Sequence, residues 1–192
     1  MKKISKNIYL FSTKKFASNT YLIKNKILTL IDPGTPLSFK DLKQELEKLK
    51  IKIEDIKIIL NTHEHFDHIM SNKYFKNAVV MIHKSKKFKH STPLEDNSEI
   101  NLGKIKLKVI YTPGHSKGSV CFYEPKQKIL FSGDTVFAHG TPSLITISGS
   151  KKEYIQSLNK LLKLKINKIL PGHGDISLKP KEDIKEILKK LK

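Results

Sequence analysis

Arginine is missing from this chain, although 37 of its residues are basic, so every one of them is lysine and the formal net charge is +19. Arginine's planar fork grips phosphate bidentately and reads guanine, whereas lysine is a strongly hydrated point charge. A nucleic-acid specialist would be expected to use the fork. The lysines are instead spread along the chain and fall on the polar faces of the expected helices, with "KKFKH" at 86–90 the only tight cluster. The charge therefore reads as solvated surface, and a nucleic-acid partner is not favoured. Long apolar runs are lacking too: none approaches the ~18 residues of a membrane span. The opening "MKKISKNIYLF" starts like a secretory leader, but Lys6, Asn7 and Lys14 interrupt it before an apolar core can form. Cysteine occurs once, as Cys121, which excludes an intrachain disulfide and agrees with a reducing compartment. Between Val120 and Phe122 it reads as a buried strand thiol. The expectation is a cytoplasmic protein without membrane contact, folded as one domain over residues 1–192 and long enough to bury a core without disulfides.

Short apolar runs bounded by turn residues mark strands: "ILTLI" 27–31, "IKIIL" 56–60, "AVVMI" 78–82, "IKLKVIY" 105–111, "SVCFY" 119–123, "KILFS" 128–132 and "KIL" 168–170. Three stretches carry the helical period. Their stripes are Phe39, Leu42, Leu46 and Leu49; then Tyr154, Ile155, Leu158, Leu161 and Leu162; then Ile184, Ile187, Leu188 and Leu191. Strands run consecutively near 4–31 and 100–132, while helix and strand alternate at 37–60 and 153–170. That order suits two central sheets with helices outside better than a doubly wound sheet.

Histidine is used sparingly, eight times, yet three of the eight fall within "HEHFDH" at 63–68 together with two acids. Buried without partners, each such group would cost about 1–3 kcal/mol. The run follows the strand "IKIIL", where α/β proteins place their sites. Residues two apart in an extended loop project the same way, so His63 and His65 can reach one ion, while Asp67 and His68, at the start of a helix, can address a second. Other strand ends repeat the theme: His115 in "YTPGHSKGS", Asp134 in "FSGDTVF", His173 in "LPGHGD" and Asp32 in "LIDPG". Glycine beside the candidates allows close backbone approach. Five histidines and several aspartates at the carboxyl ends of strands point to a metal centre. His83 and His90 read as ordinary strand-end or loop residues, and His139 as a candidate for lining the substrate pocket.

The ordered series His63-x-His65-x-Asp67-His68, His115, Asp134 and His173 resembles the metallo-β-lactamase fold superfamily from about Asn19 to Gly174. The resemblance implies a four-layer αβ/βα sandwich with a dinuclear metal site at one edge of its two sheets. It implies that His63, His65 and His115 hold the first ion, that Asp67, His68 and His173 hold the second, and that Asp134 bridges them. Asp32 would support the loop from behind. The two divalent ions would be zinc most simply, with iron or manganese also suited to such donors. They would share a water and lower its pKa toward neutrality, which makes hydroxide the nucleophile. Asp67 would orient that water and shuttle its proton. Glu64 would point away from the ions.

Antibiotic-hydrolysing members usually have cysteine or serine where this chain has Asp134, so β-lactamase activity is not expected. "TPGHSKGS" and "FSGDTVF" look most like glyoxalase II, which hydrolyses thioesters. The family usually continues with a small-residue and arginine segment, whereas this chain reads "TPSLITISGS". Glyoxalase II proper also carries a C-terminal helical extension for glutathione; only 18 residues follow Gly174 here. The reading is a hydrolase acting on a thioester or other activated acyl compound of small-molecule size. Its alternatives are a nuclease of the superfamily using the lysines as a phosphate track, a mono-iron persulfide dioxygenase, and a non-catalytic interaction module. The oligomeric state has no signature in the sequence.

Overall fold

In the structure, a computed structural model, residues 1–13, 15–85 and 90–192 are described. Most of the "KKFKH" cluster, residues 86–89, lies outside them. Two sheets form the centre. The first runs in order through seven strands: β1 (Lys2–Lys3), β2 (Ile8–Phe11), β3 (Thr20–Ile23), β4 (Thr29–Ile31), β5 (Ile58–Leu60), β6 (Val79–His83) and β7 (Ser91–Leu94). Its first four strands are joined antiparallel; from β4 onward neighbours pair in parallel. The change falls where α1 (Pro36–Lys48) carries the chain from β4 to β5, because a parallel neighbour requires a crossover. The second sheet has the order β12-β11-β10-β9-β8, built from β8 (Glu99–Asn101), β9 (Lys106–Tyr111), β10 (Val120–Glu124), β11 (Ile129–Gly133) and β12 (Lys168–Pro171). Here α3 (Lys151–Leu162) provides the crossover to the parallel pair β11/β12. The remaining helices are the single turn α2 (Phe66–Ile69) and α4 (Pro180–Lys190).

Three packed clusters separate four layers. Ile8, Tyr21, Ile31, Leu60, Val109, Phe122, Phe131 and Leu170 meet between the sheets. Leu42 and Leu46 of α1 pack with Leu22, Leu30 and Ile59 on the outer face of the first sheet. Tyr154, Leu158 and Leu161 of α3 join Ile184 and Ile187 of α4 over Ile110, Leu130 and Ile169 of the second. Each helical stripe seen in the sequence therefore covers a sheet, and each expected strand forms, shifted by no more than two residues at its start. The short β1, β7 and β8 carry no readable pattern. β7 contains Pro93, which an edge strand tolerates because its outer N–H side needs no partner. Among the described residues, no helix is long and apolar enough to cross a membrane.

Cys121 lies on β10, fully buried, beside the Thr112 hydroxyl at 3.3 Å. Burial pushes its thiol up to about 11, so hardly any thiolate exists at pH 8. The native protein should react with a disulfide reagent at pH 8 only on the timescale of opening, and promptly in denaturant. Prompt stoichiometric labelling of the native state would contradict the burial.

Both sheets end at one edge, where they are tied together. Tyr21 donates from its hydroxyl to the Pro171 carbonyl at 2.6 Å, and Asn19 donates from its side chain to the Pro171 and Gly174 carbonyls at 3.1 and 3.0 Å. The Val120 N–H reaches the Thr62 carbonyl at 2.8 Å. These bonds tie the end of β12 and the loop after it to the first sheet, and the loop after β5 to the start of β10; the loops at this edge carry the candidate residues.

Candidate metal centre

The chain leaves β5 into the segment Asn61–His65, which bends at Thr62 and His63 before α2 begins at Phe66. The bend brings the His63 and His65 rings to one point. His63 Nε2 and His65 Nδ1 stand 2.9 Å apart, and His115 Nε2, from the loop after β9, lies 3.3 and 2.9 Å from them. Nitrogens bound tetrahedrally at ~2.0–2.1 Å to zinc stand about 3.3 Å from one another, so this spacing fits a shared cation. His68 of α2 and His173 after β12 form a second group with Asp67, whose Oδ2 is 3.0 Å from His173 Nε2 and 3.8 Å from His68 Nε2. Asp134, at the end of β11, faces both groups. Its Oδ2 is 3.9 Å from His63 Nε2, 3.6 Å from His115 Nε2 and 3.7 Å from His173 Nε2, and its Oδ1 is 3.4 Å from His68 Nε2.

The outer atoms of the rings decide which nitrogens keep a free lone pair. His68 Nδ1 donates to Asp32 Oδ2 at 2.9 Å. The Thr62 hydroxyl gives its proton to the same oxygen at 2.6 Å, so it accepts from His63 Nδ1 at 3.1 Å. His115 Nδ1 donates to the Leu144 carbonyl at 2.6 Å, with Ser143 Oγ at 2.9 Å. All three therefore turn Nε2 inward, the arrangement that metal-binding histidines take. His68 Nε2 and Asp134 Oδ1 are buried with no hydrogen bond of good geometry. Such orphans are costly in a core and are satisfied by a cation. The donor set thus fits one or two divalent ions.

Electrostatics agree. Burial, reinforced by the neighbouring histidines, lowers His63 well below the ordinary imidazole range and lowers His65 less. Burial works against charge on His68, but Asp134 and Asp32 outweigh it and raise its pKa. For Asp134 burial opposes ionisation, yet His68, then His63 and His173, hold it far below the usual carboxylate range. Asp67 is likewise desolvated, and His173 and His68 still bring it down. The carboxylates are charged wherever a cation would need them.

Gly172 and Gly114 explain two of the glycine-rich turns. A Cβ on Gly172 would stand 2.2 Å from Asp134 Oδ1 and 2.7 Å from His68 Cε1, inside the donor cluster. Gly114, with φ of +149°, has Tyr154 Cα 2.4 Å from its would-be Cβ, so α3 can press against the turn before His115. The Tyr154 hydroxyl donates to the Thr135 carbonyl at 2.8 Å and accepts from the Ser143 N–H at 3.1 Å, which fixes the segment holding His115 from behind.

Of the residues singled out in the sequence, seven converge in two groups and Asp32 backs them. Glu64 turns to the Ser116 hydroxyl, which donates to its Oε2 at 2.9 Å. His83 ends β6 and stacks on Tyr111 at 4.2 Å. His139 is placed with Asp175 at 3.5 Å, an exposed pair that contributes no atom to either donor group. Thr62, Ser143 and Leu144 support the rings without having been anticipated. Thr62 could have been suspected from its place directly before the motif; Leu144 acts through its carbonyl, which any residue offers.

A family model described as the metallo-beta-lactamase superfamily matches residues 13–85 and 81–173. A probable metallo-hydrolase of Methanocaldococcus jannaschii is 35% identical, covering 84% of this chain and 89% of its own length. A hydroxyacylglutathione hydrolase of Francisella tularensis subsp. novicida is 32% identical over 90% of this chain and 66% of its own. This chain spans about half to two thirds of such relatives' length. Among solved structures, the metallo-beta-lactamase family protein TTHA1429 from Thermus thermophilus superposes with a TM-score of 0.88 at 20% identity, over 98% of this chain and 80% of its own. TTHA1623, solved in a di-iron-bound form, gives 0.75 at 25% identity, over 91% of this chain and 96% of its own. With two sheets in four layers, His and Asp donors at their common edge, and these relatives, the chain belongs to the metallo-β-lactamase superfamily and is a metallo-hydrolase.

Proposed function

We infer that the centre is dinuclear and hydrolyses a thioester or a similarly activated acyl compound, as in hydroxyacylglutathione hydrolases. The observation that carries the reading is Asp134 Oδ2, within 3.6–3.9 Å of ring nitrogens from both donor groups. His63, His65 and His115 would hold one ion, Asp67, His68 and His173 the other, and Asp134 both. Two divalent cations there, zinc most simply and iron or manganese with equal donor fit, would supply Lewis acidity toward the acyl oxygen and acidify a water. The remaining work belongs to side chains. Asp67 is partly exposed and stands 3.0 Å from His173 Nε2. It accepts the proton of the attacking water and passes it to the departing thiolate as the acyl C–S bond breaks and the C–O bond forms. A thiolate leaves without a strong general acid because its conjugate pKa is only ~8.5. Asp32, Thr62 and the Leu144 carbonyl keep three imidazoles in the tautomer and orientation that this requires.

Metal analysis of protein expressed with ample zinc, iron and manganese should find about two equivalents per chain. A panel of thioesters, lactones, phosphodiesters and RNA should then show thioester cleavage that is lost on chelation and restored by metal. Less than one equivalent of metal would remove the dinuclear centre; cleavage of RNA alone would transfer the site to a nuclease.

A further inference from the structure

Residues 135–150, the segment that wraps behind His115, contain no Asp, Glu, Lys or Arg, whereas 29% of the whole chain is charged and that share predicts about four or five there. The segment is not hidden. Leu144 is 77% exposed and Ile147 wholly so, while the Leu144 carbonyl and the Thr146 N–H and hydroxyl bind the Nδ1 and the carbonyl of His115. A second apolar group flanks the other donors. Phe66, between His65 and Asp67, is 52% exposed and stacks at 5.4 Å on Phe16, itself 65% exposed. Phe16 is anchored beside the centre, because the Ser18 N–H donates to the Asp67 carbonyl at 3.0 Å. Met70, one turn beyond Phe66 on the same helical face, is also exposed. Lys15, next to Phe16 in the chain, is paired with Asp41 at 2.6 Å.

Exposed apolar side chains are ordinary when scattered, but grouped beside a polar centre they mark a surface that a ligand covers. Residues 135–150 carry no Asp, Glu, Lys or Arg, and the lysine beside Phe16 is engaged by Asp41. We propose that this rim, Phe16, Phe66 and Met70 on one side and Leu144 and Ile147 on the other, binds an uncharged hydrocarbon chain of the substrate next to the scissile bond. The proposal rests on the acyl-hydrolase reading and narrows its substrate class. It favours a medium-length aliphatic or aromatic chain over the zwitterionic peptide of glutathione.

The test uses metal-loaded protein and two series of thioesters. One lengthens the acyl chain from two to eight carbons on a fixed small thiol; the other lengthens the thiol on a fixed acetyl group. The series whose chain occupies the rim should gain about three- to fourfold in kcat/KM per methylene until the rim is covered. Phe16→Ser and Ile147→Ser, both exposed and neither a metal donor, should flatten that slope, lowering kcat/KM more for the longest thioester than for the shortest. Slopes that are flat in both series, or unaltered in the variants, would overturn the proposal. Binding of octanoate and of acetate, read by calorimetry, separates the two hypotheses. If no thioester is cleaved but octanoate still binds at least tenfold tighter and loses this in Phe16→Ser, the rim stands and the thioester reading falls. Variants that abolish self-association without changing octanoate affinity would assign the rim to a second copy of the chain and refute the proposal.

Discussion

Asp134→Ala should bind less than one equivalent of metal and lose essentially all hydrolysis while remaining folded. Among the described residues, this carboxylate is the one side chain that faces both donor groups, with an oxygen within 3.9 Å of His63, His115 and His173 and the other 3.4 Å from His68. Without it one group keeps three imidazoles and the other keeps two imidazoles and Asp67. The loss should exceed the 10–100-fold weakening usual when a residue that merely orients a ligand is removed. Asp32→Ala provides that contrast: it frees His68 Nδ1 and the Thr62 hydroxyl but removes no donor. Metal content by mass spectrometry, with circular dichroism to check folding, reads the difference. One full equivalent and an undiminished rate in Asp134→Ala would sink the bridging role.

A second large effect is expected from a change that touches no donor. Gly172→Ala places a methyl 2.2 Å from Asp134 Oδ1 and 2.7 Å from His68 Cε1. Neither neighbour can yield, because His68 is fully buried and tied to Asp32 at 2.9 Å, and Asp134 is held among four imidazoles. The strain, about 1–3 kcal/mol by analogy with overpacked cores, falls on the group of Asp67, His68 and His173. Metal stoichiometry should drop to about one per chain, because the trio His63, His65 and His115 lies on the other side. A thermal denaturation midpoint lowered by a few degrees should accompany it. Gly172→Ala protein that binds two ions at native affinity would show that the close approach does not constrain the centre.

Much of this was legible in the chain. Strands announced themselves as β-branched runs and helices as stripes such as Leu42 and Leu46. The donors stood out because histidine is scarce here and recurs beside glycine at strand ends. Other parts leave no trace of that kind. Ser143 and Leu144 hold His115 through a hydroxyl and a carbonyl brought from 28 and 29 positions away, and the carbonyl is common to every residue. Tyr154 looked like one more apolar position in a helical stripe. Its hydroxyl nevertheless fixes the loop after β11, a contact that depends on how α3 lies across the second sheet. Gly172 and Gly114 could be recognised as turn residues, but what each one makes room for depends on long-range packing. His139, read from the sequence as a candidate for lining the substrate pocket, pairs with Asp175 and contributes no atom to either donor group.

Each donor group draws on both halves of the sandwich. His63, His65, Asp67 and His68 follow strands of the first sheet, and His115, Asp134 and His173 follow strands of the second. Ions bound there would therefore be cross-links as well as reagents. They would fasten two slabs of a protein whose single cysteine allows no intrachain disulfide, closing a chain loop of 50 residues between His65 and His115. Anything that binds only the folded state adds RT ln(1 + [L]/Kd) to its stability, and long closed loops gain the most from such a clip. The cell's supply of metal would then set how firmly the two halves are shut as well as how fast the centre turns over.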